Sequence, residues 1–208
     1  MHIHLKNHLL FKVIENQQAL LSWSSETKGD NIKNDGSVIS STKPSGFELR
    51  RKDETNSMIF TTSPIPENVP FFYFEVFVED EGDTKIVCIG LTKADPKYKN
   101  GRSPGWDSGT IGYHGDDGAI FHETWGKNKI VHQAFGSKDT IGCMFIHEKD
   151  NEEGSLYLCH FTKNGNYVDT IKILEKDDYY PTIGISSPGA KVVTNMGEKE
   201  FLYKIPGL

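Results

Sequence analysis

The chain of 208 residues has few cysteines and no long apolar run. Cys88, Cys143 and Cys159 are an odd number at wide spacing, whereas a secreted domain held by disulfides has a denser and even set. The N-terminal region lacks the uninterrupted hydrophobic stretch of a signal peptide or a membrane span, because Lys12 and Glu15 divide it. These absences predict a cytoplasmic protein that does not associate with a membrane.

An excess of basic residues is also absent. The 23 Lys and Arg residues are outnumbered by 29 Asp and Glu, which gives a formal net charge of −6. Since nucleic-acid-binding proteins depend on a basic surface that neutralises phosphates, nucleic acid is not expected as a partner. The ligand spacings of common metal sites and the glycine-rich loops that bind phosphates are missing too. The sequence therefore predicts no cofactor and no metal.

Short β-prone runs separated by turn residues occupy the chain from Leu21 onwards. Residues 72–79 are apolar at every second position, with Glu75 and Glu79 in the opposite phase, which predicts a strand with one buried face. Residues 85–91 are apolar in both phases, as in a central strand that is covered on both sides. The pattern predicts an all-β fold, a two-sheet antiparallel β-sandwich of a single domain.

The first twenty residues follow a different pattern. Leu9, Leu10, Val13 and Ile14 recur at helical spacing, which predicts a short amphipathic helix. We therefore expect an N-terminal helical extension over residues 1–20, followed by the sandwich over 21–208. The apolar face of this helix is expected to pack on the edge of the domain, and binding of a partner is the alternative.

Eight short motifs occur in the order that is typical of one known family. They are Tyr73-Phe74-Glu75-Val76, Ile89-Gly90-Leu91, Pro104-Gly105-Trp106, Gly112-Tyr113-His114-Gly115-Asp116-Asp117-Gly118, Phe135-Gly136, Ile141-Gly142-Cys143, Phe161-Thr162-Lys163-Asn164-Gly165 and Tyr180-Pro181-Thr182-Ile183-Gly184. From about Ser22 to Gly197 the chain resembles a SPRY domain of the Ran-binding-protein-M type, whose members have a similar PGWD, YHGDDG and TKNG series.

The resemblance implies two antiparallel sheets in a bent, concanavalin A-like sandwich without catalytic machinery. It also implies that loops at one end bind a short peptide segment of a partner protein. Members of this type serve as scaffold or substrate-recognition parts of larger assemblies, including ubiquitin ligases, and usually add LisH and CTLH helical regions that this sequence does not show. Two features differ from the family pattern: Lys138 stands where the family favours glycine, and residues 147–154 lengthen a hairpin. We expect a non-enzymatic, monomeric interaction module.

The candidate binding residues lie in or just before the stretch from Ser103 to Phe121. Pro104-Gly105 predicts a turn that presents an aromatic side chain, and Asp116-Asp117-Gly118 predicts a hairpin turn. We expect apolar contacts from Trp106 and Tyr113, polar contacts from His114, Asp116 and Asp117, and selection of acidic partner residues by Lys99 and Arg102. For the aromatic residues and His114, packing in the core or between loops is the alternative.

Three other functions were compared with peptide binding. A metal site could use His114, Asp116 and Asp117, although their spacing matches no known metal motif. Cys159 and His160 are neighbours on a predicted strand, so their side chains point to opposite faces and cannot form a nucleophile–base pair. A carbohydrate- or metal-binding, lectin-like sandwich is the second hypothesis, and it rests on the shape of the fold.

Overall fold

Two antiparallel sheets of seven strands each pack face to face in the computed structural model of the protein. The structure describes residues 21–46, 56–93, 99–122, 129–150, 154–173 and 177–205. The strands are β1 (Trp23–Lys28), β2 (Ile32–Asp35), β3 (Val38–Ser41), β4 (Ser57–Thr61), β5 (Phe71–Asp80), β6 (Val87–Lys93), β7 (Thr110–His114), β8 (Ala119–His122), β9 (Lys129–Val131), β10 (Thr140–Asp150), β11 (Gly154–Lys163), β12 (Asn166–Ile173), β13 (Tyr179–Ile185) and β14 (Lys191–Asn195). The predicted sandwich is confirmed, and the helix predicted within residues 1–20 lies outside the described residues.

The sandwich has two open sides, and at each of them an edge strand of sheet 1 lies near an edge strand of sheet 2. Sheet 1 has the strand order β1-β4-β13-β6-β7-β8-β9, and sheet 2 has the order β12-β11-β10-β5-β14-β3-β2. On one side β1 lies beside β2, where Asn34 Nδ2 donates to the carbonyl oxygen of Trp23 at 2.9 Å. On the other side β9 approaches β12, and His132 Nε2 lies 2.9 Å from Asp169 Oδ2. Each open side is thus bounded by one edge strand of each sheet.

The core lies between the sheets and is built from alternate residues of the long strands. β5, in the middle of sheet 2, directs residues 72, 74, 76 and 78 inward, and all four are buried. Trp23 on β1 donates from Nε1 to Thr194 Oγ1 on β14 at 2.9 Å, which connects the two sheets through a buried hydrogen bond. Each fully buried large apolar side chain contributes about 1.5–3 kcal/mol to stability.

The outer face of β5 differs from the prediction of one buried face. Tyr73 and Glu75 on that face are buried as well. The C-terminal segment (residues 201–205) covers them, because the Glu75 carboxylate accepts the backbone N–H groups of Leu202 and Tyr203, both at 3.0 Å. The alternation of β5 shows which face is continuously apolar, but it contains no information about a distant segment that packs on the other face.

The turn predictions are confirmed at two hairpins. In the β11–β12 turn Asn164 and Gly165 have φ values of 51° and 73°, a left-handed conformation that these two residue types adopt at low cost. In the β7–β8 turn Gly118 has a φ of 69°, and Asp117 Oδ1 accepts the N–H of Ala119 at 2.9 Å. These side-chain and backbone features fix the position of both turns.

Two strand predictions are also confirmed. β6 lies between β13 and β7, and its residues 87–92 are all buried, so both of its faces are covered, as its continuous apolar pattern predicted. β10 and β11 stay paired as far as Asp150 and Gly154, which is the lengthened hairpin expected from the sequence.

One end of the sandwich is formed by loops from both sheets. Val87 of β6 pairs with Ile185 of β13, and Asp80 of β5 pairs with Lys191 of β14, so these strands begin or end at the same level. We use the name loop end for the segments that meet there. They are residues 41–46, 80–86, 115–118, 132–139, 163–166 and 186–190.

Candidate functional site

Residues 99–109, which we call the Trp106 loop, lie across the outer face of sheet 1. His114 on β7 places its Nε2 atom 2.8 Å from the carbonyl oxygen of Pro104. Gly105 has a φ of 91°, and a Cβ atom there would lie 2.5 Å from the carbonyl oxygen of Phe121. The loop backbone therefore packs directly on the sheet, and only glycine fits both the left-handed conformation and the close approach.

Three predicted contact residues are on this loop. The Trp106 side chain is half-buried, and its ring centroid lies 6.1 Å from that of His114. Arg102 Nε lies 3.2 Å from Asp107 Oδ2, so its guanidinium already has an acidic partner in the same loop. Lys99 is half-buried, and its carbonyl oxygen connects the loop to the edge of β4. The partly exposed surface of Trp106 remains the candidate contact here.

Tyr113 and His114 are not exposed on the outer surface of the sandwich, where the prediction of contact residues would place them. Their side chains are buried, with 0 % of Tyr113 and 3 % of His114 exposed. The Tyr113 ring packs in the core against Phe135 and Phe161, at centroid distances of 4.9 and 5.8 Å. β7 is covered on both faces, by the core and by the Trp106 loop, so strand alternation directs neither residue into solvent.

Asp116 and Asp117 are exposed in the β7–β8 turn at the loop end. This turn lies against the segment that follows β9, because a Cβ atom on Gly118 would be 2.6 Å from the backbone nitrogen of Ala134. The structure therefore divides the predicted residues between two surfaces, the Trp106 loop over sheet 1 and the β7–β8 turn at the loop end. It does not bring them into one site.

Hydrogen bonds connect three segments of the loop end around Asp83. Its carboxylate accepts Ser45 Oγ at 2.5 Å and the backbone N–H of Gly46 at 2.6 Å. The next residue, Thr84, donates its N–H to Ser187 Oγ at 3.0 Å. The hydrogen bonds from Ser45 and Gly46 lower the pKa of Asp83 below its ordinary value, so this carboxylate is ionised at neutral pH.

A second group of hydrogen bonds connects the β9–β10 loop with the β11–β12 hairpin. The Asp139 carboxylate accepts Asn164 Nδ2 at 2.7 Å, the N–H of Gly136 at 3.0 Å and Lys163 Nζ at 3.2 Å. Asn164 Oδ1 in turn accepts the N–H of Thr140 at 2.8 Å. Partial burial alone would raise the pKa of Asp139, but these three donors outweigh it and lower that pKa. The ionised carboxylate thus organises both loops.

A solvent-open cavity of about 510 Å³ lies between these two loops. This volume is within the range of about 300–1,000 Å³ that is common for ligand pockets. Its walls include Tyr113, His132, Asp139, Lys163, Asn166 and Tyr167.

The cavity presents polar groups beside aromatic surface. Lys163 is paired with Asp139, and His132 Nε2 lies 2.9 Å from the carboxylate of Asp169. Burial, with a smaller effect of the Asp139 charge, raises the pKa of Tyr113 to about 12, so its hydroxyl stays protonated at neutral pH. The Tyr167 side chain stands at the rim with 57 % of its surface exposed. Fixed donors and acceptors next to an exposed ring suit the binding of a polar segment with one apolar anchor.

The sequence did not predict this cavity. It marks Asn164 as a turn residue, but the contact of Asp139 with Asn164 depends on the pairing of β10 with β11. His132 follows β9 and Tyr167 belongs to β12, which are edge strands of different sheets. No local sequence pattern shows that these two strands lie on the same side of the sandwich.

The metal site and the Cys159–His160 catalytic pair considered from the sequence can be compared with the described residues. Within the described ranges, no three His, Cys, Asp or Glu side chains are grouped so that they could hold a metal ion. Cys159 is buried in the core, whereas His160 lies on the outer face of sheet 2 with its ring 4.9 Å from that of Tyr167, so the two point to opposite faces as predicted. No described helix is long and apolar enough to cross a membrane.

Comparison with known proteins places the chain in one domain family. The SPRY domain model matches residues 71–199. A Ran-binding proteins 9/10 homolog of Drosophila melanogaster is 36 % identical over 146 residues, which are 69 % of this chain and 14 % of that protein. A Ran-binding protein M homolog of Arabidopsis thaliana is 31 % identical over 150 residues, 72 % of this chain and 30 % of that protein. The chain thus spans 14 to 30 % of the length of these two relatives.

Two solved structures share the fold. The crystal structure of a human SPRY domain superimposes with a TM-score of 0.64 at 22 % identity, covering 82 % of this chain and 98 % of that one. The SPRY domain of human HERC1 gives a TM-score of 0.56 at 15 % identity, covering 86 % and 99 % of the two chains. At these identities the likeness shows the sandwich fold alone.

Proposed function

The chain belongs to the SPRY domain family, as a protein of the Ran-binding-protein-M type, and we propose that it recognises a short peptide segment of a partner protein through its loop end. SPRY domains are protein-interaction modules, so the partner class follows from the family. The observation that supports the loop end as the binding surface is the cavity of about 510 Å³ between hydrogen-bonded loops.

The hydrogen bonds of the loop end favour binding because they order the surface in advance. Asp83 and Asp139 each accept hydrogen bonds from neighbouring loops, so these segments have little conformational freedom left to lose. Ordering of loops and side chains is one of the main costs of association, and a preformed surface avoids part of it. The exposed Tyr167 ring at the cavity rim would be the aromatic anchor.

The proposal includes the wider role of the module. We propose a monomeric, cytoplasmic and non-enzymatic domain that acts as the scaffold or substrate-recognition part of a larger assembly, including one of the ubiquitin-ligase type. Support comes from the relatives, which are several times longer than the part that this chain matches.

An array of short cellular peptides tests the proposal. The purified chain is applied beside the variants Tyr167→Ala, at the cavity rim, and Leu202→Ala, a similarly exposed residue outside the cavity. We expect a defined peptide motif that Tyr167→Ala binds about tenfold or more weakly and that Leu202→Ala binds normally. A Trp106→Ala variant that loses binding while Tyr167→Ala retains it would move the site to the Trp106 loop. No bound peptide, from a chain with a normal thermal transition, would reject peptide recognition.

Carbohydrate binding is the second candidate, and one observation favours it. The cavity wall places the Tyr167 ring near the amide of Asn166 and the carboxylate of Asp139, a combination of aromatic and polar groups that suits a sugar. A glycan array run in parallel, with the same Tyr167→Ala variant, separates the two candidates.

A further inference from the structure

The edge strand β9 (Lys129–Val131) exposes apolar side chains to solvent. In the part of the chain that the structure describes, β9 pairs with β8 alone. Ile130 and Val131 leave 40 % and 62 % of their side chains exposed, and they are two of the four large hydrophobic residues exposed among the described residues. An edge with free backbone groups and β-branched apolar side chains is a ready template for another strand.

The hydrogen-bond pattern shows which backbone groups of β9 are free. His132 donates its N–H to the carbonyl oxygen of Gly118 at 2.8 Å, and Val131 is paired with Ala119 in the same antiparallel register. In such a ladder, residues that bond to the neighbouring strand alternate with residues that direct their backbone groups away from it. Ile130 and His132 therefore bond toward β8, whereas the N–H and C=O of Val131 point outward.

The edge strands at the opposite side are protected against strand addition. In β1, Ser24 Oγ accepts the N–H groups of Glu26 at 3.1 Å and Thr27 at 3.0 Å, so the edge backbone is satisfied by its own side chain. In β2, the ion pair between Lys33 and Asp35 at 2.6 Å lies exposed along the edge. Charges and local irregularity are the usual devices that prevent edge pairing.

The partner edge across the open side, β12, is protected as well. Its register with β11 shifts at Phe161–Thr162, and it carries the charged residues Asp169 and Lys172. β9 has a regular register with β8, and its one charged residue, Lys129, stands at its first position, so Ile130 and Val131 form an uncharged end of this edge. The difference indicates a strand edge that is kept available for pairing.

We propose that β9 binds an extended segment of a partner protein by strand addition, and that this segment continues past Val131 over the rim of the cavity. This inference rests on the proposed peptide recognition and adds its geometry. Backbone hydrogen bonds to Val131 supply part of the affinity, and alternate apolar side chains of the segment pack on Ile130 or on Val131. The cavity begins at His132, directly after β9, so one continuous segment reaches both.

The charges near the end of β9 predict the composition of this segment. The exposed carboxylates of Asp116 and Asp117 lie in the turn that contacts the residues after β9, where the cavity cation Lys163 is already paired with Asp139. β9 begins with the basic residue Lys129, so the surface is acidic only near the opposite end of the strand, beside His132. A Lys or Arg of the partner at this end would be attracted, and an acidic residue would be repelled.

A partner segment fits this edge better than a second copy of the chain. Two copies joined through a strand of three residues would form only a few backbone hydrogen bonds, far from the roughly 1,200 Å² that stable interfaces bury. Each copy also has a formal charge of −6, which opposes self-association. A peptide needs less contact area and gains the cavity in addition.

The test uses peptides of about ten residues selected from a random displayed library on the wild-type chain. Binding of the labelled synthetic peptides is compared for wild type, Val131→Pro and Val131→Thr. Proline removes the outward N–H without removing a bond to β8, and threonine keeps both the N–H and the β-branch. We expect a basic residue in the selected sequences, a loss of about tenfold or more with Val131→Pro, and at most about threefold with Val131→Thr.

Two measurements that leave the protein unchanged keep the test decisive if Val131→Pro folds poorly. Peptides N-methylated at alternate positions should bind in one phase and fail in the other, because only one phase directs its N–H groups to β9. Hydrogen exchange of the Val131 amide should slow on binding, whereas the Ile130 and His132 amides are already bonded and should change little.

The outcomes separate this inference from the proposed function. Peptides that lose binding in Tyr167→Ala but bind Val131→Pro and both N-methylated forms normally would overturn strand addition and leave peptide recognition standing. A library that yields no binder would overturn both. Dimerisation of the wild-type chain that Val131→Pro abolishes would assign the edge to a second copy and overturn the proposal of a partner segment.

Discussion

Lys138 occupies a backbone conformation in which the SPRY pattern favours glycine. Its φ is 76°, in the left-handed region that costs a residue with a side chain about 1–2 kcal/mol. Its N–H donates to the carbonyl oxygen of Val78 at 2.7 Å, its Nζ donates to the carbonyl oxygen of Glu79 at 3.0 Å, and its ammonium group lies 5.9 Å from the centre of the Phe77 ring. These contacts offset the strain and explain why lysine is tolerated.

We expect the free energy of unfolding to change little when the Lys138 side chain is removed and to fall when a β-branched side chain replaces it. Lys138→Gly should change the free energy of unfolding by less than about 1 kcal/mol, because relief of strain compensates for the lost contacts. Lys138→Ile should lower it by about 1–3 kcal/mol, because a β-branched residue fits a positive φ poorly. Urea unfolding of both variants checks this, and an equal loss in both would show that the side-chain contacts matter and the φ does not.

Glu75 is a buried carboxylate whose hydrogen bonds account for its position. It accepts the Tyr73 hydroxyl at 2.9 Å and the backbone N–H groups of Leu202 and Tyr203 at 3.0 Å. A charge taken out of water is costly unless such donors replace the water. The carboxylate therefore both needs the C-terminal segment and holds it on sheet 2.

Glu75→Gln should lower the free energy of unfolding by about 2–3 kcal/mol, since one acceptor oxygen becomes an amide donor that faces other donors. Glu79→Gln is the matched control on the same strand. Glu79 makes a half-exposed ion pair with Lys191, so this control should cost less than about 1 kcal/mol. Similar losses in the two variants, measured by thermal or urea unfolding, would mean that Glu75 has no special role in holding the C-terminal segment.

The strands show how far local pattern determines this fold. β6 and the β11–β12 hairpin follow from apolar continuity and from Asn164-Gly165, because both signals act between near neighbours in the chain. Tyr113 and His114 show the limit, since β7 is buried on both faces by elements that are distant in sequence. Alternation tells which residues share a face, but whether that face meets solvent depends on the whole sandwich.

The candidate site is less predictable than the fold for the same reason. Asp116 and Asp117 are correctly placed in an exposed turn, because the turn residues themselves specify it. The cavity is formed where β9 of one sheet approaches β12 of the other, and strand order is a non-local property.

Asp139 connects two elements, the β9–β10 loop and the β11–β12 hairpin, and its pKa predicts a pH dependence. A lowered pKa in the folded state means that the contribution of Asp139 to stability is fully present above the ordinary carboxyl pKa of about 3.9. It is lost as pH falls through the lowered pKa of the fold. Asp139→Asn should therefore cost about 1–3 kcal/mol at neutral pH, and the difference from wild type should shrink below about pH 4.

Unfolding in urea at pH 7, 5 and 3 measures this difference, and other titrating groups cancel between the two proteins. Asp116→Asn in the exposed β7–β8 turn is the control and should stay within about 0.5 kcal/mol of wild type at each pH. A difference for Asp139→Asn that persists unchanged at pH 3 would show that the carboxylate charge does not organise the two loops.

The two sheets are covered on their outer faces in different ways, and this asymmetry concerns the molecule as a whole. The outer face of sheet 1 is covered by the Trp106 loop, an internal loop of the chain, and Gly105 lets the backbone of this loop pack directly on the sheet. Sheet 2 is covered by the C-terminal segment, with the Phe201 ring 4.8 Å from that of Tyr73 and the Tyr203 ring 5.5 Å from that of His160. Cooperative stability of the sandwich should then depend on a segment near the end of this sequence.

Removal of residues 200–208 should lower the free energy of unfolding by about 2–5 kcal/mol, because Tyr73 loses its aromatic partners and Glu75 loses two backbone donors. The decisive measurement is the double-mutant cycle with Glu75→Gln. In the truncated chain the donors are absent, so Glu75→Gln should cost less than about 1 kcal/mol there, against about 2–3 kcal/mol in the full chain. An equal cost in both backgrounds would mean that Glu75 acts through Tyr73 alone and that the C-terminal segment packs on sheet 2 without its help.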